Sequence, residues 1–241
     1  MTLKGQTILI TGAARRIGRH LALAVAEAGA NVIIHHAHSA QDAEHTAAAA
    51  RAHGGQAWTI EADFNDPPQA QRLMEEAAQL APLYAVINNA AIFEPLSAQQ
   101  TALSDWQRHL DVNLTAPFLI CQAFAAQPYS GPTRRILNIL DWRALRPAAD
   151  HFPYTISKAA LAALTHALAV AYAPGILVNG LAMGAILPPA DGADKSDILK
   201  TIPAGRWAHL DEVSQAALFL LDGPEYITGE ILHLAGGRQL I

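Results

Sequence analysis

Short apolar runs recur along the chain at residues 7–11, 31–35, 57–61, 84–88, 135–140, 176–179 and 230–234, each of a length that suits one strand. Between most of them apolar residues return at three- and four-residue spacing, which predicts helices over 18–28, 41–52, 69–79, 112–126, 154–172 and 211–220. Strands alternating with helices build βαβ units, and right-handed crossovers then give one doubly wound sheet. The expected architecture is an α/β Rossmann fold: a mostly parallel seven-stranded sheet flanked by helices, forming a single domain over residues 1–241.

Composition agrees with that picture and narrows the partners. With 51% hydrophobic and only 15% charged residues, the chain can cover both faces of a parallel sheet. A formal charge of −5 and the lack of any Lys/Arg run argue against nucleic acid and anionic membrane surfaces. No uninterrupted apolar stretch reaches the ~18 residues of a bilayer span, so no membrane partner is expected. The lone Cys121 cannot form an intrachain disulfide and reads as a small core residue, which fits a cytoplasmic location. A stretch rich in Pro, Gly and Asp at about 185–200, following the sixth strand, reads as a loop over substrate.

The first strand runs into Gly12-Ala13-Ala14-Arg15-Arg16-Ile17-Gly18 and then a helix. Gly12 permits a tight turn, Gly18 permits close packing, and the first helical N–H groups can face a pyrophosphate. The second strand ends in His35-His36-Ala37-His38-Ser39, without the acidic residue that takes a ribose 2′-hydroxyl. Arg15, Arg16, His38 and Ser39 could instead gather around a 2′-phosphate, which favours NADPH over NADH. Asp63 could accept from an adenine amino group, or cap a turn. The three histidines lack further ligands at metal spacing, so no metal is expected. Tyr154 and Lys158 lie one helical turn apart on one face, where the ammonium should lower the phenol's pKa.

These residues together resemble the short-chain dehydrogenase/reductase family over nearly the whole chain. The resemblance rests on Thr11-Gly12, Asn88-Asn89-Ala90, Asn113, the Tyr154/Lys158 pair, Val178-Asn179 and Tyr226-Ile227-Thr228-Gly229. It implies Tyr154 as proton donor, Lys158 as ribose holder and Asn113 on a water-linked proton path. It also implies cofactor contacts from Gly12, Arg15, Arg16, Ile17, Gly18, His38, Ser39, Asp63, Asn89, Ala90, Tyr154, Lys158 and Gly184, and a homotetramer.

Departures narrow the expectation. Arg16 replaces the middle glycine of the usual turn, and Asp141, 13 residues before the tyrosine, replaces the usual serine. That pairing resembles the pteridine reductases and related dihydromonapterin or dihydrofolate reductases, with Arg16, Phe93, Asp141 and Tyr154 around the pterin or folate. Chemistry points the same way. A carboxylate would repel the alkoxide of a ketone reduction, whereas it can support protonation of a heterocycle nitrogen. The usual Pro-Gly and Asp-Gly-Gly appear as Met183-Gly184 and Ala235-Gly236-Gly237. Alternatives are an NADPH-dependent carbonyl reductase acting on an acyl-carrier thioester, sugar or steroid, and a silent NADP(H)-binding regulator.

Overall fold

Seven all-parallel strands form one sheet in the order β3-β2-β1-β4-β5-β6-β7. They are β1 (Thr7–Ile10), β2 (Asn31–His36), β3 (Ala57–Glu61), β4 (Leu83–Asn88), β5 (Arg134–Asp141), β6 (Ile176–Met183) and β7 (Ile231–Leu234). The structure is a computed structural model and describes residues 3–187 and 196–241. Residues 188–195, the middle of the loop read as a substrate cover, lie outside the described residues.

The central strands are largely aliphatic on both faces because helices cover both. On one face α1 (Arg16–Glu27), α2 (Ala40–Arg51) and α8 (Leu210–Asp222) bury Leu21, Val25, Ala47 and Val213 against Ile8, Ile10 and Ile34. On the other, α3 (Pro68–Leu80), α5 (Ala116–Ala126) and α6 (Phe152–Tyr172) bury Met74, Phe124 and Leu168 against Leu9, Ile33 and Val86. Successive side chains on a strand point to opposite faces, and β5 uses this at its start. Arg134 donates to Phe124 O at 2.7 Å, and Arg135 donates to Gly223 O at 2.9 Å. Each buried guanidinium thereby satisfies a carbonyl at the end of a helix, on opposite sides of the sheet.

The sheet grows outward in both directions from the β1/β4 pair, which opens a crevice at their carboxyl ends. Gly12, Asn89, Asp141 and Gly184 all follow or end strands on this edge.

Three features go beyond the sequence reading. The helix expected from residue 112 is preceded by α4 (Leu103–Leu110) and a π-helical turn (Asp111–Thr115). In α4 only His109 is buried and Leu103 stands exposed, and at its start Ala102 N donates to Asp105 Oδ2 at 3.2 Å. A short α7 (Ser196–Lys200) was not anticipated. Finally, α6 is 21 residues long and apolar enough, by length and composition, to cross a membrane. Its apolar character comes from packing on the sheet, and the same helix carries the buried Tyr154 and Lys158.

Candidate active site

The turn after β1 is held by three neighbouring segments. Asn89 Nδ2 donates to Thr11 O (2.8 Å) and Gly12 O (3.1 Å), while the backbone N–H groups of Asn89 and Ala90 donate to Thr11 Oγ1, both at 2.9 Å. Gly12 has φ +62°, and a Cβ on it would sit 3.0 Å from Ala90 Cα. At Gly18 a Cβ would collide with Gly12 O and stand 2.7 Å from Asn89 Nδ2, so only glycine lets the helix start this close to the strand. Ile17 packs on the core beneath the turn.

His35 supplies the third hold, which sequence reading missed. Its Nδ1 accepts from Gly12 N at 3.0 Å, its Nε2 bonds Ala62 O at 2.8 Å, and its ring stacks on Phe64 with centroids 4.3 Å apart. Both bonds require the neutral, Nε2-protonated tautomer. Burial pushes the His35 pKa down to about 4. An unfolded chain takes up the proton near pH 6.5, so stability is full above that value and falls progressively towards pH 4. The depression corresponds to about 3 kcal/mol. Urea unfolding should therefore show wild type losing about 3 kcal/mol more than His35→Gln between pH 7 and pH 4. Equal losses in the two proteins would remove the assignment.

The expected 2′-phosphate group is only partly free. Arg15 donates through Nε to Asp42 Oδ2 at 2.6 Å, and His38 Nε2 lies 3.6 Å from Asp63 Oδ2. Asp63 Oδ1 accepts from Asn65, so Asp63 serves the turn as well as facing His38. Arg16 is exposed and Ser39 half-buried. Arg16 and His151, both at φ +51°, are the non-glycine residues with left-handed backbone among those described, and both stand at the site. On the far side of the crevice Gly184 N donates to Leu234 O at 2.9 Å, and a Cβ on Gly184 would stand 2.7 Å from Ala235 Cα.

At the other end the candidate proton donors meet. Asp141 closes β5, and its two oxygens are divided: Oδ1 accepts from Arg143 N at 2.9 Å, while Oδ2 accepts from the Tyr154 hydroxyl at 3.3 Å. Asp141 thus caps the turn that follows it and also meets the tyrosine hydroxyl. Arg143 adds an Nη1 contact to Asp141 Oδ1 at 3.6 Å and bonds Asp150 at 2.8 Å. Lys158 Nζ donates to Ile139 O at 2.7 Å and is only 2% exposed.

This corrects the expected tuning of the tyrosine. Burial, and then the charge of Asp141, raise the Tyr154 pKa well above its ordinary value, while burial lowers Lys158 to about 8. Tyr154 is thus a neutral phenol able to give a proton, and Lys158 is turned to the strand carbonyl.

Asn113, in the π-helical turn, accepts from Ile92 N (2.9 Å) and donates to Ile92 O (3.1 Å) and Ser157 Oγ (3.0 Å). It ties the Phe93 segment to α6. Phe93 is 51% exposed, meets Tyr154 edge-on at 4.6 Å, and stacks on His151 at 3.8 Å. Arg143 and His151 carried no sequence signal, because they lie in the irregular segment between β5 and α6.

A glycine cradle for phosphate, a buried lysine and a tyrosine beside an acid at one sheet edge fit a nicotinamide-dependent reductase. Comparison with known proteins agrees. The family described as Enoyl-(Acyl carrier protein) reductase matches residues 12–239. A 3-oxoacyl-[acyl-carrier-protein] reductase of Synechocystis sp. is 30% identical, over 99% of this chain and 98% of that protein. The structure of FolM alternative dihydrofolate reductase 1 from Brucella canis, complexed with NADP, superposes with TM-score 0.92 at 29% identity, covering 100% of this chain and 97% of that one. A short-chain dehydrogenase from Burkholderia cenocepacia in complex with NADP gives TM-score 0.91 at 33% identity, covering 98% of each chain. The chain belongs to the short-chain dehydrogenase/reductase family and is an oxidoreductase.

Proposed function

We propose that this enzyme is an NADPH-dependent pteridine reductase that delivers hydride to a ring carbon of a dihydropterin or dihydrofolate. The observation that carries the reading is the Asp141 carboxylate 3.3 Å from the Tyr154 hydroxyl, where a ketone reductase of this family uses a serine. The NADP-bound FolM dihydrofolate reductase structures from Brucella canis and Brucella suis support it. The glycines that no Cβ can replace, and a buried Lys158 with one protein acceptor among the described residues, fit a dinucleotide. When bound, NADPH supplies the hydride.

The chain's own residues supply the rest. Phe93 offers an exposed aromatic surface for a flat heterocycle. Tyr154, held neutral, gives its proton towards a ring nitrogen, the Asp141 carboxylate that accepts from that hydroxyl balances the heterocycle's positive charge, and water returns the proton to Tyr154. Asn113 fixes the Phe93 segment against α6 so that ring and donor keep their spacing. Arg16 extends from the phosphate turn as a planar donor for both cofactor and substrate. A homotetramer is part of the proposal, from the family resemblance. A cytoplasmic location is part of the proposal.

A carbonyl reductase is the second reading, favoured by the Synechocystis 3-oxoacyl reductase relative. Loss of the nicotinamide absorbance with dihydrobiopterin, dihydromonapterin, dihydrofolate and a 3-oxoacyl thioester separates the two. The pterin reading predicts turnover of at least one pterin at a kcat/KM of about 10⁴ M⁻¹s⁻¹ or more. Turnover of the thioester alone would replace it with the second reading.

A further inference from the structure

The segment that follows β7 is fixed onto the active site. Gly236 and Gly237, at φ +59° and +85°, turn it sharply, and a Cβ on Gly236 would stand 2.8 Å from Ile202 Cγ2. Ala204 N donates to Gly236 O, and Arg238 N to Ala235 O, both at 3.0 Å. The resulting 3₁₀ turn (Arg238–Leu240) sits against the 3₁₀ turn (Trp142–Ala144) that follows Asp141. Burial of the tip does not explain this hook, since Leu240 is 78% and Ile241 57% exposed.

What the hook delivers is Arg238. Its guanidinium lies 4.6 Å from the centre of the Trp142 ring, which also carries Arg143 at 4.9 Å. The two arginines differ in commitment. Arg143 is taken by Asp150 at 2.8 Å and Asp141 at 3.6 Å. Arg238 has no carboxylate within 4.0 Å and no side-chain hydrogen bond among the described residues, although Asp141 and Asp150 lie near enough to act on it electrostatically. Burial and the neighbouring Arg143 both disfavour its charge. A half-buried planar donor with its fork unspent, beside another cation, is satisfied by an incoming anion.

We propose that Arg238 receives an anionic substituent of the substrate, so that the site prefers reducible pterins with a carboxylate-bearing side chain over those with a neutral one. This rests on the pterin reading for the identity of the ring, but the anion subsite itself can be tested apart from it.

The first experiment compares kcat/KM for dihydrofolate, which carries carboxylates, with that for dihydromonapterin, which does not, in wild type, Arg238→Gln and Arg238→Lys. Loss of one charge-assisted fork predicts that the dihydrofolate-to-dihydromonapterin ratio falls about tenfold in Arg238→Gln and is partly restored in Arg238→Lys. A ratio unchanged in Arg238→Gln, whatever happens to the absolute rates, assigns Arg238 to holding Trp142 and overturns the proposal. The second uses p-aminobenzoylglutamate, which has the carboxylates and no pterin, and follows Trp fluorescence with Trp142→Phe as the control. Saturable quenching in wild type that weakens about tenfold in Arg238→Gln supports the subsite even if no pterin is reduced. Equal quenching in both proteins, or none in wild type, contradicts it.

Discussion

Tyr154→Phe is expected to lower kcat for the natural substrate by about 10³-fold, the scale of a lost general acid. The phenol is the group positioned to release a proton, kept neutral by burial and by the Asp141 charge. The substitution keeps the ring, so the edge contact with Phe93 at 4.6 Å survives. What is lost to the fold is one long hydrogen bond of 3.3 Å to Asp141. The protein should therefore unfold within about 1 kcal/mol of wild type. Single-turnover oxidation of NADPH reads the chemical step directly. Retention of more than about a tenth of the rate would reassign the donor, with Asp141 the first alternative. A near-complete loss also excludes the silent regulator, because a binding module has no use for the hydroxyl.

Much of this site can be read from sequence because its backbone demands are local. Gly12 and Gly18 stand at positions where a side chain is excluded by the turn itself, and the strand-helix alternation around them sets the Rossmann order. The four-residue spacing of Tyr154 and Lys158 places both on one face of α6 whatever surrounds the helix. Their electrostatics could not be read the same way. Spacing suggested an ammonium pulling the phenol down, but the pKa of Tyr154 depends on how deeply α6 is buried and on Asp141, brought in from β5. Lys158 is meanwhile drawn to Ile139 O.

Residues whose partners come from distant segments left no trace in the pattern. His35 reads as one of a run of histidines, and only strand alternation plus the turn after β1 turns its ring towards Gly12. Arg15 looked free for a phosphate because Asp42, at the start of α2, is 27 residues away in sequence. His151 lies in an irregular loop, where no periodicity indicates that its ring covers a face of Phe93. Arg238 meets Trp142 from the opposite end of the chain.

The central claim is that a carboxylate at position 141 selects a nitrogen heterocycle over a ketone, and Asp141→Ser addresses it. Serine keeps an oxygen able to accept from Arg143 N, so the cap of the following 3₁₀ turn can persist. It removes the charge that would oppose an alkoxide, and with it the carboxyl that supports a ring nitrogen's protonation. Proton supply and oxyanion stabilisation act in opposite directions on the two substrates, so their effects multiply in the ratio of kcat/KM values.

The deciding measurement is that ratio, dihydropterin over a simple ketone, in wild type and in Asp141→Ser. The account predicts a fall of about 10³-fold on substitution, with pterin turnover lost and ketone turnover gained. An unchanged ratio, or a wild type that already prefers the ketone, would contradict it.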